Sequence, residues 1–169
     1  FSASRAAGSF SSVSSCCLRC SSGQRACCSR ATLRCSSVTG FARARGRHVF
    51  ALDADNLLYP NGLVALARRL DAAPPEVVAA YGLLERFDET AALGLTSHLP
   101  WDPDLLVHGA FIDAMAMFRK DAWVALGGYA DDERIYGWED YDLWLRIAEQ
   151  RLAASLVPTV VGRYREQAG

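Results

Sequence analysis

Apolar positions in this chain fall into short runs and helical stripes separated by turn residues. Val49–Leu52, entered from His48, is a brief apolar run that ends abruptly in Asp53 and Asp55, which reads as a buried strand. Tyr59-Pro60-Asn61-Gly62 is a turn that starts a helix. Leu63, Leu66, Ala67 and Leu70 then recur at i, i+3, i+4, i+7 and make one apolar stripe. Pro74-Pro75 stops it, and Val77–Leu83 reads as the next strand. Residues 85–103 are polar, aromatic and broken by Pro100 and Pro103, which predicts a long loop over the sheet's edge. His108–Asp113 leads into a strand ending near Phe118. Asp121 is placed to cap a short helix over Ala122–Leu126, and Gly127-Gly128 to end it. From Trp138 onward, Tyr141, Trp144, Leu145 and Ala148 mark the inward face of another helix, and Leu156–Arg165 reads as a final strand. Strands alternating with helices predict an α/β domain.

Composition divides the chain in two. The net charge of −1 gives no dominant pull toward nucleic acid or an acidic membrane. Residues 1–47 nevertheless hold eight arginines, no lysine and no acid, leaving ten basic against nineteen acidic residues in the remainder, a balance of −9. All six cysteines lie in the first 35 residues. Residues 1–40 are rich in Ser, Cys and Arg and fit no helix or strand template, so a disordered segment is expected there. Three readings compete for it: sequence from a shifted reading frame of a GC-rich gene, a transit peptide, or a metal site. Cys16, Cys17, Cys20, Cys27, Cys28 and Cys35 lack the paired spacing of a zinc site, and no histidine lies among them.

The candidate chemistry is carried by acids. Asp53 and Asp55 stand at a strand's carboxyl end, where open α/β sheets bind ligands. Their oxygens suit Mg²⁺ or Mn²⁺, ions that usually complete their shell with substrate phosphates. The plainer alternative is that they only begin a loop. Glu139 and Asp140 fall in the first turn of the Trp138 helix, where the helix dipole favours carboxylates with or without a function. Asp142 and Arg146, at i and i+4, are expected to form a surface pair. His108 and Asp113 divide evenly between ligand contacts and local roles, a loop hydrogen bond for His108 and an arginine partner for Asp113.

The order Val-Phe-Ala-Leu-Asp-Ala-Asp-Asn, then Gly-Gly-Tyr, then Gly-Trp-Glu-Asp-Tyr-Asp-Leu-Trp-Leu-Arg resembles the family 2 glycosyltransferases over residues 44–165. These are inverting enzymes of the GT-A fold that use nucleotide-sugar donors. The resemblance implies a GT-A sandwich, partial, over residues 41–169. It implies Asp53, Ala54 and Asp55 at the donor, with Asp55 and Asp53 holding Mn²⁺ or Mg²⁺. Asp140 would be the general base and Glu139 its orienting partner, the two able to exchange roles. Trp138 would stack on the acceptor sugar, with His108 and Asp113 beside it. Inverting transfer is one displacement at the anomeric carbon. It needs a carboxylate to take the acceptor's proton and a cation to neutralise the departing nucleotide diphosphate.

The resemblance also implies partners: a UDP-, GDP- or dTDP-sugar, and a glycan, lipid-linked or other hydroxyl acceptor, with no nucleic acid. In many relatives the Tyr-Arg pair is followed by a histidine that reaches the metal or diphosphate; here Gln167 stands near that place. The half that grips nucleobase and ribose has no counterpart before residue 41, so a non-catalytic remnant is the alternative function. A nucleotidyltransferase ranks lower, since it needs a Gly-rich loop and a lysine, and the chain's one lysine is Lys120. With no apolar stretch of spanning length, a cytoplasmic protein, soluble or peripheral to a membrane, is expected.

Overall fold

The computed structural model describes residues 40–89 and 91–166, together with the backbone of Ser14–Ser15. The rest of the 1–40 segment, its cysteines included, lies outside the described residues, as does Gln167. The strands are β1 (Ser14–Ser15), β2 (His48–Phe50), β3 (Leu57–Leu58), β4 (Val77–Phe87), β5 (Ala92–Thr96), β6 (Met117–Arg119) and β7 (Ala153–Arg165). Between them run helices α1 (Gly62–Ala72), α2 (Pro103–Leu106), α3 (Lys120–Ala125) and α4 (Glu139–Glu149). The sheet order is β1-β2-β6-β4-β7-β3, with β5 also on β4. Strands β4 and β7 are parallel, and β6 runs antiparallel between β2 and β4. This is a mixed α/β sheet.

Strand alternation divides the core into two layers. Val49, Tyr81 and Phe118 point to one face, with Leu143, Trp144 and Ile147 of α4 and Trp123 of α3. Their neighbours Phe50, Ala80 and Met117 point to the other, with Leu66 and Leu70 of α1. The helix-forming stripe of α1 is therefore a core face, as its spacing predicts. Gly62 lets α1 approach β7: a Cβ there would stand 2.4 Å from the Val161 carbonyl oxygen. A helix ends before β2: 40–43 are helical, and Phe41 is buried edge-on against Trp123 at 4.8 Å.

Four expectations change. The long loop over 85–103 is instead the end of β4, the strand β5 and helix α2. A turn closes the hairpin, with the Asp88 carboxylate accepting from the Ala91 N–H at 2.9 Å. Pro103 does not break structure there. It begins α2 behind Asp102, whose carboxylate accepts from the N–H groups of Asp104 and Leu105. Asp121 does not cap α3, because β6 runs into the helix without a loop and Lys120 is already helical; Asp121 sits in the first turn and accepts from the Ala122 N–H. On α4, Leu143 and Ile147 join Trp144 as fully buried residues, while Tyr141, Leu145 and Ala148 are only partly buried.

The fourth change concerns Asp142 and Arg146. They pair at 2.6 Å, but half-buried rather than on the surface. Arg146 also donates to the Leu126 carbonyl and, at 2.7 Å, to that of Gly128. The pair therefore clamps α4 to the end of α3. There Gly127 and Gly128 adopt φ values of 82° and 67° and close the helix as expected.

Candidate functional site at the carboxyl edge of the sheet

The strand registers decide which residues meet. Phe50 at the end of β2 pairs with Met117 at the start of β6, so Asp53 and Asp55, beyond β2, lie at the same sheet edge as Asp113, which precedes β6. A three-residue connection joins α4 to β7, so α4 runs back along the sheet and brings Glu139 and Asp140 to that edge as well. Three separate segments thus bring carboxylates to the edge where β4 and β7 end.

Their electrostatics record this proximity. Burial lifts Asp113 to a pKa of about 7, against the pull of the Met115 N–H, which it accepts at 2.8 Å; Asp140 and Asp53 push it further up. Asp140 is also raised by burial, opposed by the N–H groups of Tyr141 and Asp140 itself, with Glu139 and Asp53 adding to the rise. Asp53 belongs to an exposed turn, yet the protein around its carboxyl desolvates it and raises its pKa, and Asp55 adds like charge. Such mutually raised acids are the kind of grouping that functional sites assemble.

Each acid is held by a different device. Asn56, buried between strands, donates to the Asp53 carboxylate at 3.4 Å and accepts the Arg165 N–H at 2.8 Å, tying the acidic turn to β7. Ala54 is the exposed residue between the two aspartates. The Glu139 carboxylate accepts the Gly137 N–H at 2.8 Å and closes the turn before α4. Trp138 caps α4 with its indole 57% exposed and edge-on to Tyr141, a free aromatic face beside Glu139 and Asp140. The Tyr141 hydroxyl donates to the Leu106 carbonyl, fastening α2 over the same region.

Among the described residues Asp113 has no arginine partner; the charges acting on it are those of Asp140 and Asp53. Its backbone N–H donates to the buried Ser97 hydroxyl at 2.8 Å. His108 is exposed, and among the described residues its imidazole makes no hydrogen bond. The structure brings together Asp53, Asp55, Asp113, Glu139 and Asp140; His108 stands just after α2, which Tyr141 fastens to α4. Four further residues belong to the edge: Asn56, Ser97, Tyr129 and Tyr164. The Tyr129 hydroxyl is buried without a hydrogen-bond partner among the described residues, and burial together with Asp140, Asp53, Asp113 and Glu139 raises its pKa well above the usual tyrosine value. Tyr164 is raised by burial and by Asp113, Asp53 and Asp55. Of these four, Asn56, Tyr129 and Tyr164 stand in the motifs quoted above with no role given to them there, and Ser97 had no signal in the sequence.

The donor chemistry of Asp53 and Asp55 suits a cation. Two adjacent carboxylates, one destabilised by the other's charge, fit a hard divalent ion that takes its remaining ligands from phosphate and water. Among the described residues, no group of three or more His, Cys, Asp or Glu side chains forms a cage of its own.

Residues 101–167 match a family model described as the N-terminal domain of galactosyltransferase. That span contains Asp113, Trp138, Glu139 and Asp140. Over 112 residues the chain is 30% identical to "Putative glycosyltransferase EpsE" of Bacillus subtilis (strain 168), covering 64% of this chain and 40% of that protein. Over these residues the chain is similar to glycosyltransferases. The matched stretch spans about two fifths of the curated relative's length. No helix among the chain's described residues is long and apolar enough to cross a membrane.

Proposed function

We propose that this domain transfers a sugar from a nucleotide-sugar donor to an acceptor hydroxyl with inversion, as a GT-A, family 2-like enzyme. The observation that carries the reading is the convergence of the Asp53–Asp55 turn, Asp113 and the start of α4 on one sheet edge. Asp55 and Asp53 would hold Mn²⁺ or Mg²⁺ against the donor diphosphate, and the ion would supply neutralisation of the departing nucleotide. Asp140 is the proton acceptor. Burial moves its pKa toward neutral, where a base works best, and the two backbone N–H groups fix its oxygens. Glu139 sets the turn that presents it. The exposed indole of Trp138 supplies an apolar face for the acceptor ring, and Asp113 a hydrogen-bonding partner for a sugar hydroxyl.

Nucleotidyl transfer is disfavoured by Lys120. Its ammonium donates to the carbonyls of Ala42 and Ala44 at 3.3 and 2.5 Å, at the end of the sheet away from the acids. The test is a thermal-shift titration with Mn²⁺ and UDP together, beside Asp55→Ala. A ligand specific for the native state at a hundred times its Kd adds about 2.7 kcal/mol. A shift that needs both ligands and disappears in Asp55→Ala supports the reading. No shift with UDP, GDP or dTDP overturns it and leaves the non-catalytic alternative.

A further inference from the structure

Ser97 closes β5 with φ at 52°, in the left-handed region that non-glycine residues avoid. It is 2% exposed, in a segment whose leucines, Leu93 and Leu95, are more than 40% exposed. A glycine would satisfy that backbone without strain, and a strained, buried polar residue asks for a function. Its hydroxyl has one hydrogen bond among the described residues, accepted from the Asp113 N–H at 2.8 Å. Two residues further on, the Met115 N–H donates to the Asp113 carboxylate at 2.8 Å. Asp113 is therefore held at both its backbone and its side chain, one restraint coming from the β5 hairpin and the other from the approach to β6.

We propose that Ser97 is a positioning residue of the transfer site, its hydroxyl fixing the Asp113 backbone so that this third carboxylate faces Asp140 and Asp53. The proposal rests on the transferase reading above. Its geometry also explains why the hairpin is part of the site. The hairpin turn follows the end of β4, and the other end of β5 leads into Ser97 and, through its hydroxyl, to Asp113. A small misplacement of a substrate-positioning group can cost about a hundredfold in rate.

The decisive variant is Ser97→Gly, which removes the hydroxyl while relaxing the backbone, so the fold is retained. Nucleotide release from a panel of UDP-, GDP- and dTDP-sugars with Mn²⁺ is compared for wild type, Ser97→Gly, Asp113→Asn and the double variant, alongside melting curves and amide exchange at Asp113. The expected result is an unchanged or raised melting temperature, faster Asp113 amide exchange, and kcat lowered about tenfold to a hundredfold. The double variant should be no slower than Asp113→Asn, because both changes act through one group. Wild-type turnover in Ser97→Gly, or losses that multiply in the double variant, would overturn the positioning role while leaving the transferase reading intact. A wild type that releases nucleotide from no donor would remove the transferase reading and this inference with it.

Discussion

The two acid-bearing segments that face each other across the site are built by opposite means. Glu139 and Asp140 open an eleven-residue helix anchored by Leu143, Trp144 and Ile147, all fully buried. Phe118 stacks on Trp144 at 5.2 Å, with Tyr81 and Trp101 at 6.2 Å, and the Asp142–Arg146 clamp adds a polar tie. Asp53 and Asp55 occupy a short turn between strands of three and two residues, tied to β7 by the Asn56 amide and by the Arg165 guanidinium on the Asp55 carbonyl at 3.4 Å. The difference suits the roles proposed for the two segments. A proton acceptor must meet one hydroxyl at one distance, so a helix locked into the core suits it. A turn that accommodates a diphosphate and an ion can be held by a few hydrogen bonds, because its ligands complete it.

Four changes test that contrast, the strongest first. Asp140→Asn should lower turnover about 10²–10⁴-fold, as expected for loss of a general base, without lowering the melting temperature. Burial disfavours its charge, so a neutral isostere costs the fold nothing; a large loss of stability would make Asp140 structural. Trp144→Ala should cost about 3–5 kcal/mol in denaturant unfolding, and Leu66→Ala on the opposite layer about 2–5 kcal/mol. Near-zero values would show that these helices are not the core supports of their layers.

Asp113 gives a pH signature. Its folded pKa stands near 7 against an ordinary 3.8, so the native state holds a proton that the unfolded chain has released. Stability should therefore fall as pH rises from 3.8 to about 7, by an amount on the order of a few kcal/mol, and Asp113→Asn should flatten that slope. Equal slopes in the two proteins would refute the buried, charge-crowded environment. The smallest effect belongs to Asn56→Ala: roughly 1 kcal/mol of stability, with the Mn²⁺/UDP shift reduced and the Trp144 environment, read by fluorescence, unchanged. A perturbed Trp144 signal would mean that the two segments are not independently supported.

Much of this site is legible in the residues themselves. The apolar run into Asp53, the i, i+3, i+4, i+7 stripe of α1 and the aromatic helix behind Glu139-Asp140 each reflect local periodicity, which burial on one face enforces. What misled was also local. Pro100 and Pro103 read as loop breakers, although a proline at the first position of a helix costs no hydrogen bond, and Asp102 supplies the cap that marks that position. Arg146 was legible as Asp142's partner but not as a donor to carbonyls eighteen and twenty residues away.

The sequence by itself determined the α/β alternation, the two acidic anchors and the face that α1 buries, because these follow from the spacing of side chains along one element. Only the tertiary structure decided that Asp113 joins the acids, and that Ser97 and Asn56 hold two of those acids. Those facts depend on the pairing of β2 with β6 and on where β5 ends. Strand register is settled by contacts between residues far apart in the chain, and no local pattern encodes it.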